Sequence, residues 1–108
     1  MSKQDGLSLG TVMVLHALAR GCRYGFDIME ATGLTSGTIY PALDKIERLG
    51  FATSEWEDGK VARSEKRPPR RYYVITDEGE TALAAAMQRY RSLAAVELTK
   101  DGMQTGVP

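Results

Sequence analysis

Apolar positions along the 108-residue chain fall into four stretches of helical spacing and two that alternate. Leu9 to Ala19 is apolar on nearly every side, with Ser8 placed to cap its start and Gly21 to stop it. A helix of that kind is buried on two sides. A chain this short can hardly cover both, which points to a second copy. A short helix from about Tyr24 to Thr32 has Phe26, Ile28 and Met29 as its buried side and ends at Gly33. After the turn Leu34-Thr35-Ser36-Gly37, a third helix starts at Ser36 or Thr38 and runs to Leu49, with Gly50 as its stop. Ile39, Leu43, Ile46 and Leu49 give it one inward stripe at spacings of four, three and three. Thr38, Pro41, Lys45 and Arg48 are left facing outward. Pro41 lacks an N–H, which holds the start close to Thr38 or distorts the first turn.

Beyond Gly50 the period changes. Ala52 to Glu57 alternates and contains Trp56, and Arg70 to Thr76 is rich in β-branched and aromatic residues, so both read as strands. The link from Asp58 to Pro69 makes them a long hairpin with a basic tip. Trp56 is expected in the core. Thr76 caps a last helix whose first turn holds Asp77, Glu78 and Glu80, where the helix dipole favours negative charge. Along it Leu83, Met87, Tyr90, Ala94 and Leu98 form an apolar seam expected to meet a second chain. The expected divisions are 1–76 for the helices and hairpin, 77–98 for a dimerisation helix and 99–108 for a frayed tail.

Lys+Arg 14 balances Asp+Glu 14, so the net charge is zero. Its distribution is uneven. Between Lys60 and Tyr73 six basic residues face one acid, Glu65, a net +5 that leaves −5 for the rest. A cluster of this size suits a phosphate backbone, although a solvated loop has the same composition. Hydrophobic content of 43% argues against wholesale disorder. One cysteine excludes an internal disulfide and fits a reducing, cytoplasmic setting. No apolar run approaches the roughly 18 residues of a membrane span, and the first residues lack a signal-peptide pattern.

The order of elements is three helices, a basic hairpin and a closing helix. That is mainly α with a two-stranded β-hairpin wing: a winged helix-turn-helix followed by a C-terminal dimerisation helix. In that fold the third helix enters the DNA major groove and the hairpin reaches the flanking backbone or minor groove.

Four stretches, in order, resemble the PadR family of bacterial transcriptional regulators. Ser36-Gly37-Thr38-Ile39-Tyr40-Pro41-Ala42-Leu43 matches the start of that family's recognition helix. Gly25-Phe26-Asp27-Ile28 is similar to its Gly-Tyr-Glu-Ile stretch. Ser54-Glu55-Trp56 with Arg70-Arg71-Tyr72-Tyr73 resembles its wing strands, and Ile75-Thr76-Asp77-Glu78-Gly79 the entry to its last helix. The resemblance runs from about Leu9 to Leu98 and is to the smaller subfamily, with a single helix after the wing. It implies a homodimer that binds double-stranded DNA at an inverted repeat, usually as a repressor, with release by a small-molecule effector. By resemblance, Ser36, Gly37, Thr38, Tyr40 and Lys45 on the helix and Arg63, Lys66, Arg67 and Arg70 on the wing are the DNA-contact candidates. Gly37 admits close backbone approach, and Ser36 and Thr38 offer hydroxyls at a helix N-terminus, an anion site. Against this, Ser36 and Thr38 could simply cap, Tyr40 could pack in the core, and Arg71 could pair with a carboxylate. Phe26 replaces the family's frequent Tyr, so a hydroxyl is lost there. The last helix has no tryptophan, whereas some small family members hold flat aromatic drugs between paired tryptophans.

Cys22 and His16 are the only residues of their kinds. Two ligands do not make a zinc site, which wants four. Arg20 and Arg23 flank Cys22, the setting a reactive thiol would need. No phosphate loop, carboxylate pair or nucleophile–base set is present, so neither an enzyme nor a cofactor is expected. The rival readings are a winged-helix module that meets an acidic protein through its wing, and a ligand-binding dimer with a secondary DNA role.

Overall fold

The computed structural model describes the backbone of residues 7–105 and the side chains of residues 7–94. The elements are α1 (Leu9–Ala19), α2 (Gly25–Thr32), α3 (Ser36–Arg48), β1 (Ala52–Trp56), α4 (Gly59–Ser64), β2 (Arg71–Ile75) and α5 (Asp77–Thr105). Ser8 caps α1 as its side chain accepts from the Thr11 N–H. Gly33 closes α2 in the left-handed region that favours glycine. Val14, Leu15, Ile28, Ile39, Leu43 and Ile46 form the fully buried centre, where α1, α2 and α3 meet.

β1 and β2 pair antiparallel with Ala52 opposite Ile75 and Trp56 opposite Arg71. The Tyr73 N–H donates to the Arg23 carbonyl at 2.8 Å, which ties the α1–α2 connection to the wing. The Thr76 N–H donates to the Phe51 carbonyl at 2.9 Å, and its hydroxyl donates to the Gly50 carbonyl at 2.7 Å and accepts from Gly79. Thr76 thus caps α5 and also locks it to the α3–β1 turn.

Four expectations change. The link between the strands is not a plain tip, because Asp58 caps a short helix, α4, that buries Ala62. Helix α5 continues to Thr105, past the expected end near Leu98. Leu83 belongs to the chain's own core, and Met87 and Tyr90 pack against it, with the Tyr90 hydroxyl donating to the Leu7 carbonyl at 3.2 Å. The first part of the seam therefore covers α1; Ala94 is exposed, and the Leu98 side chain lies outside the described residues. Finally, Trp56 is 65% exposed. It shares the inward face of β1 with Ala52 and Ser54, but four residues beyond Ala52, roughly 13 Å at strand rise, it borders an open cleft with Phe26 and Tyr40 and is not packed in the core.

Candidate nucleic-acid interface

Helix α3 begins after Thr35, whose side chain makes no capping bond. The N–H groups of Thr38 and Ile39 donate to the Thr35 carbonyl at 3.0 Å, which leaves those of Ser36 and Gly37 pointing out of the helix start, where an anion can take them. Ser36, Gly37 and Thr38 are exposed there, as is Tyr40. The start of α1 lies alongside, and a cleft of about 260 Å³ between the two helix starts is lined by Ser8, Thr11, Gly37, Thr38, Pro41 and Lys45. Two positive helix ends, hydroxyls and the half-buried Lys45 thus share one surface. Pro41 sits inside the helix as its sixth residue, one turn later than an early start requires. Leu43 and Ile46 bury the opposite side.

Tyr40 is half exposed, so it does not pack wholly in the core. Its ring lies over Gly25, where an added Cβ would stand 2.7 Å from Cζ. A second cleft, of about 410 Å³, opens between the start of α2, α3 and the base of the wing, and Phe26, Tyr40, Trp56, Arg70 and Arg71 border it. Arg70 stands 5.6 Å from the centre of the Tyr24 ring and Arg71 5.7 Å from that of Trp56, within cation–π reach. The Arg71 Nη2 and Nε donate to the Ser54 hydroxyl at 2.8 and 3.0 Å, and Nη2 lies 3.4 Å from Glu47 of α3. Of the two roles open to Arg71, the carboxylate pairing is the one seen. Phe26, expected on the buried side of α2, is instead 56% exposed and borders this cleft beside Trp56; the sequence singled out neither for this surface, since apolar residues in helix and strand patterns read as core.

The wing divides its cations into two sets. Lys60, Arg63, Lys66 and Arg70 are exposed. Arg67, expected to grip DNA directly, is corrected to an internal partner: Nη1 and Nη2 donate to the two oxygens of Glu57 at 2.6 and 2.8 Å. Its side chain is only 19% exposed and that of Glu57 8%. The hydrogen bond from Arg67 pulls the Glu57 carboxyl below its ordinary value and holds the Arg67 guanidinium above its own. Sequence spacing could not show this, because the two residues, ten apart in the chain, are brought together only by the folding of the segment between them, which includes α4. On β2, the hydrogen bond to Glu55 raises the Tyr72 phenol and burial raises that of Tyr73.

On the opposite side, α1, the end of α2 and α5 border an apolar groove of about 440 Å³, lined by Leu9, Val12, Met13, Met87, Tyr90 and Ala94. His16 is exposed at its edge. Cys22 is half-buried against the core. Among the described residues, no cluster of His, Cys, Asp and Glu could hold a metal ion, and no helix is long and apolar enough to cross a membrane.

A family model described as the transcriptional regulator PadR-like family matches residues 14–85. Among solved structures, the chain is similar to a PadR family transcription regulator from Clostridium difficile, with 23% identity over 88% of this chain and 100% of that one, at a TM-score of 0.75. It is similar to a transcriptional regulator from Clostridium thermocellum, with 24% identity over 91% and 92% of the two chains, at a TM-score of 0.61. It also resembles the PcaV regulator of Streptomyces coelicolor, solved with its natural ligand, with 22% identity over 89% of this chain and 64% of that one, at a TM-score of 0.72. Identities this low speak to the winged-helix fold. No curated protein matches the chain by sequence.

Proposed function

The chain belongs to the PadR-like family of transcriptional regulators, and on that premise we propose that it acts as a cytoplasmic homodimer on inverted-repeat promoter DNA, as a repressor. The observation that carries the DNA reading is the solvent-exposed start of α3, with Ser36, Gly37, Thr38 and Tyr40 on its surface, beside a wing whose Lys60, Arg63, Lys66 and Arg70 are exposed. The exposed side of α3 enters the major groove, Ser36, Thr38, Tyr40 and Lys45 hold phosphates and base edges, and the wing cations hold the flanking backbone. Two copies present two such helices to half-sites about one helical turn apart. This division assigns DNA binding to 1–76 and dimerisation to the helix that follows.

Dimerisation uses the groove of Leu9, Val12, Met13, Met87, Tyr90 and Ala94, together with the length of α5 beyond it. Leu9, 56% exposed, and Leu93, 57% exposed, are apolar side chains that a partner would cover. An effector seated between two such grooves would alter the angle between the reading helices, and so release DNA. The Streptomyces coelicolor regulator, solved with its natural ligand, supports an effector of this kind without identifying it.

The test is binding of the purified protein to duplex DNA from upstream of its own gene, followed by fluorescence anisotropy as salt is raised. Affinity should fall steeply, with a slope of about −0.9 per phosphate contacted. Thr38→Ala and Tyr40→Phe should each weaken binding while leaving the fold intact. No duplex binding at low salt would overturn the reading.

A further inference from the structure

The wing of this protein is a folded unit whose base is spanned by the ion pair of Glu57 and Arg67, and the Arg67 Nε also lies 3.7 Å from the exposed Glu65. Its outward run starts at Asp58, whose side chain accepts from the Lys60 N–H at 2.8 Å and begins α4. Its return starts where α4 ends, in a Schellman-type closure. The Lys66 N–H donates to the Arg63 carbonyl at 3.0 Å and the Arg67 N–H to the Ala62 carbonyl at 3.1 Å. Lys66 takes φ of 57°, the left-handed position that glycine usually fills at such an end. A residue with a Cβ pays for that conformation by roughly 1–2 kcal/mol, so something else must hold the turn. Directly after it, Arg67 reaches back across the base to Glu57. Glu57 in turn pairs through its backbone with Arg70: its N–H donates to the Arg70 carbonyl at 2.7 Å, and its carboxylate accepts from the Arg70 N–H at 3.3 Å.

We propose that Glu57 and Arg67 form a positioning clamp, which fixes the direction in which α4 presents Lys60, Arg63 and Lys66 to the DNA backbone. This rests on the DNA-binding reading above. An acid in a basic wing opposes phosphate by charge alone, and Glu57 is nearly buried there. Its presence is explained by geometry: two parallel N–H···O bonds to a planar guanidinium fix both distance and plane, which a lysine cannot do. The clamp sets the orientation of the wing before DNA arrives, so less ordering has to be supplied on binding.

The sign of one substitution separates the clamp from simple electrostatics. Glu57→Gln raises the net charge by one. If the wing acted only as a patch of charge, this variant would bind duplex DNA more tightly. The clamp predicts the reverse: roughly three- to ten-fold weaker binding, with a shallower salt dependence because fewer phosphates are contacted. Arg67→Lys, which keeps the charge and loses the fork, should fall in the same direction, and it carries the test if Glu57→Gln fails to fold. Binding equal to or tighter than that of the unaltered protein in the folded variants would overturn the proposal. Hydrogen exchange without DNA tests the clamp independently: amides of residues 60–67 should exchange at least about ten-fold faster in Glu57→Gln, while those of α1 and α3 stay unchanged. Unchanged exchange at 60–67 would sink it as well. If the unaltered protein binds no duplex at all, the DNA-binding reading fails, and the exchange measurement still decides whether the clamp exists.

Discussion

Gly79 lies in the first turn of α5, where the helix presses on the α3–β1 turn. A methyl group added there would fall on the Phe51 carbonyl oxygen, 2.9 Å from the Phe51 carbonyl carbon and 2.8 Å from Ile75 Cγ1. Two of these obstacles are backbone atoms and cannot swing aside. Gly79→Ala therefore forces the start of α5 back by about 1 Å, and a gap of that size forfeits up to about half of each facing dispersion contact. The same retreat stretches the bonds of Thr76 to the Phe51 and Gly50 carbonyls, each worth about 1 kcal/mol. Overpacking of this kind costs about 1–3 kcal/mol, and the better helix propensity of alanine returns up to about 1 kcal/mol. The balance is a loss of about 2–3 kcal/mol. At about 4–8 °C per kcal/mol for a domain of this size, the thermal midpoint should drop by about 10–20 °C in a circular-dichroism melt at fixed protein concentration. Gly10→Ala is the matched control: its nearest foreign atom is Thr38 Cγ2 at 3.4 Å, so the same added methyl should leave the midpoint unchanged or raise it slightly. A Gly79→Ala midpoint within about 2 °C of the unaltered protein would show that α5 is not seated on the Phe51 carbonyl.

Other outcomes follow from the same structure. Gly25→Ala meets first the far end of a flexible side chain, the Tyr40 phenol; it should change stability little, displace the phenol, and weaken duplex binding several-fold by anisotropy. Leu43, fully buried between α1 and α3, should cost about 2–5 kcal/mol on truncation to alanine, read by urea unfolding. Leu9→Asp and Ala94→Asp place charge in the α1–α5 groove and should halve the solution mass in sedimentation at low concentration; an unchanged mass would move the dimer contact elsewhere. The Glu57 carboxyl is held below its ordinary value of 4.5 by Arg67. Its contribution to wing order is therefore complete above about pH 4.5 and lost only as pH falls through the lower folded value. Trp56 fluorescence should stay constant down to that pH and change below it.

Much of the fold was legible because it rests on local rules. The Ser8 cap, the left-handed Gly33, the Ile39–Leu43–Ile46 stripe and the Thr76 cap each involve residues within a turn of one another, and the structure shows all of them. The basic segment was equally plain as charge. What escaped was which particular side chains meet or cover one another across distant parts of the chain. Arg67 looked like a free cation because nothing in the sequence tells that Glu57, ten residues earlier, will face it. Leu83 looked like part of an intermolecular seam because helical periodicity marks an apolar side without saying what covers it, and α1 of the same chain does. Trp56 looked buried because strand alternation puts it on the inward face, yet in the folded chain that face opens there into a cleft and leaves it 65% exposed.

The sequence by itself therefore determined the order of the elements apart from α4, the caps of α1 and α5, and the place where positive charge gathers, since these depend on neighbours along the chain. The tertiary structure alone decided which wing cations face outward and which one is consumed in holding the wing. That division depends on the left-handed turn at Lys66 and on a carboxylate reached across space. A zero net charge thus resolves into exposed cations at Lys60, Arg63 and Lys66, and an internal pair between Glu57 and Arg67.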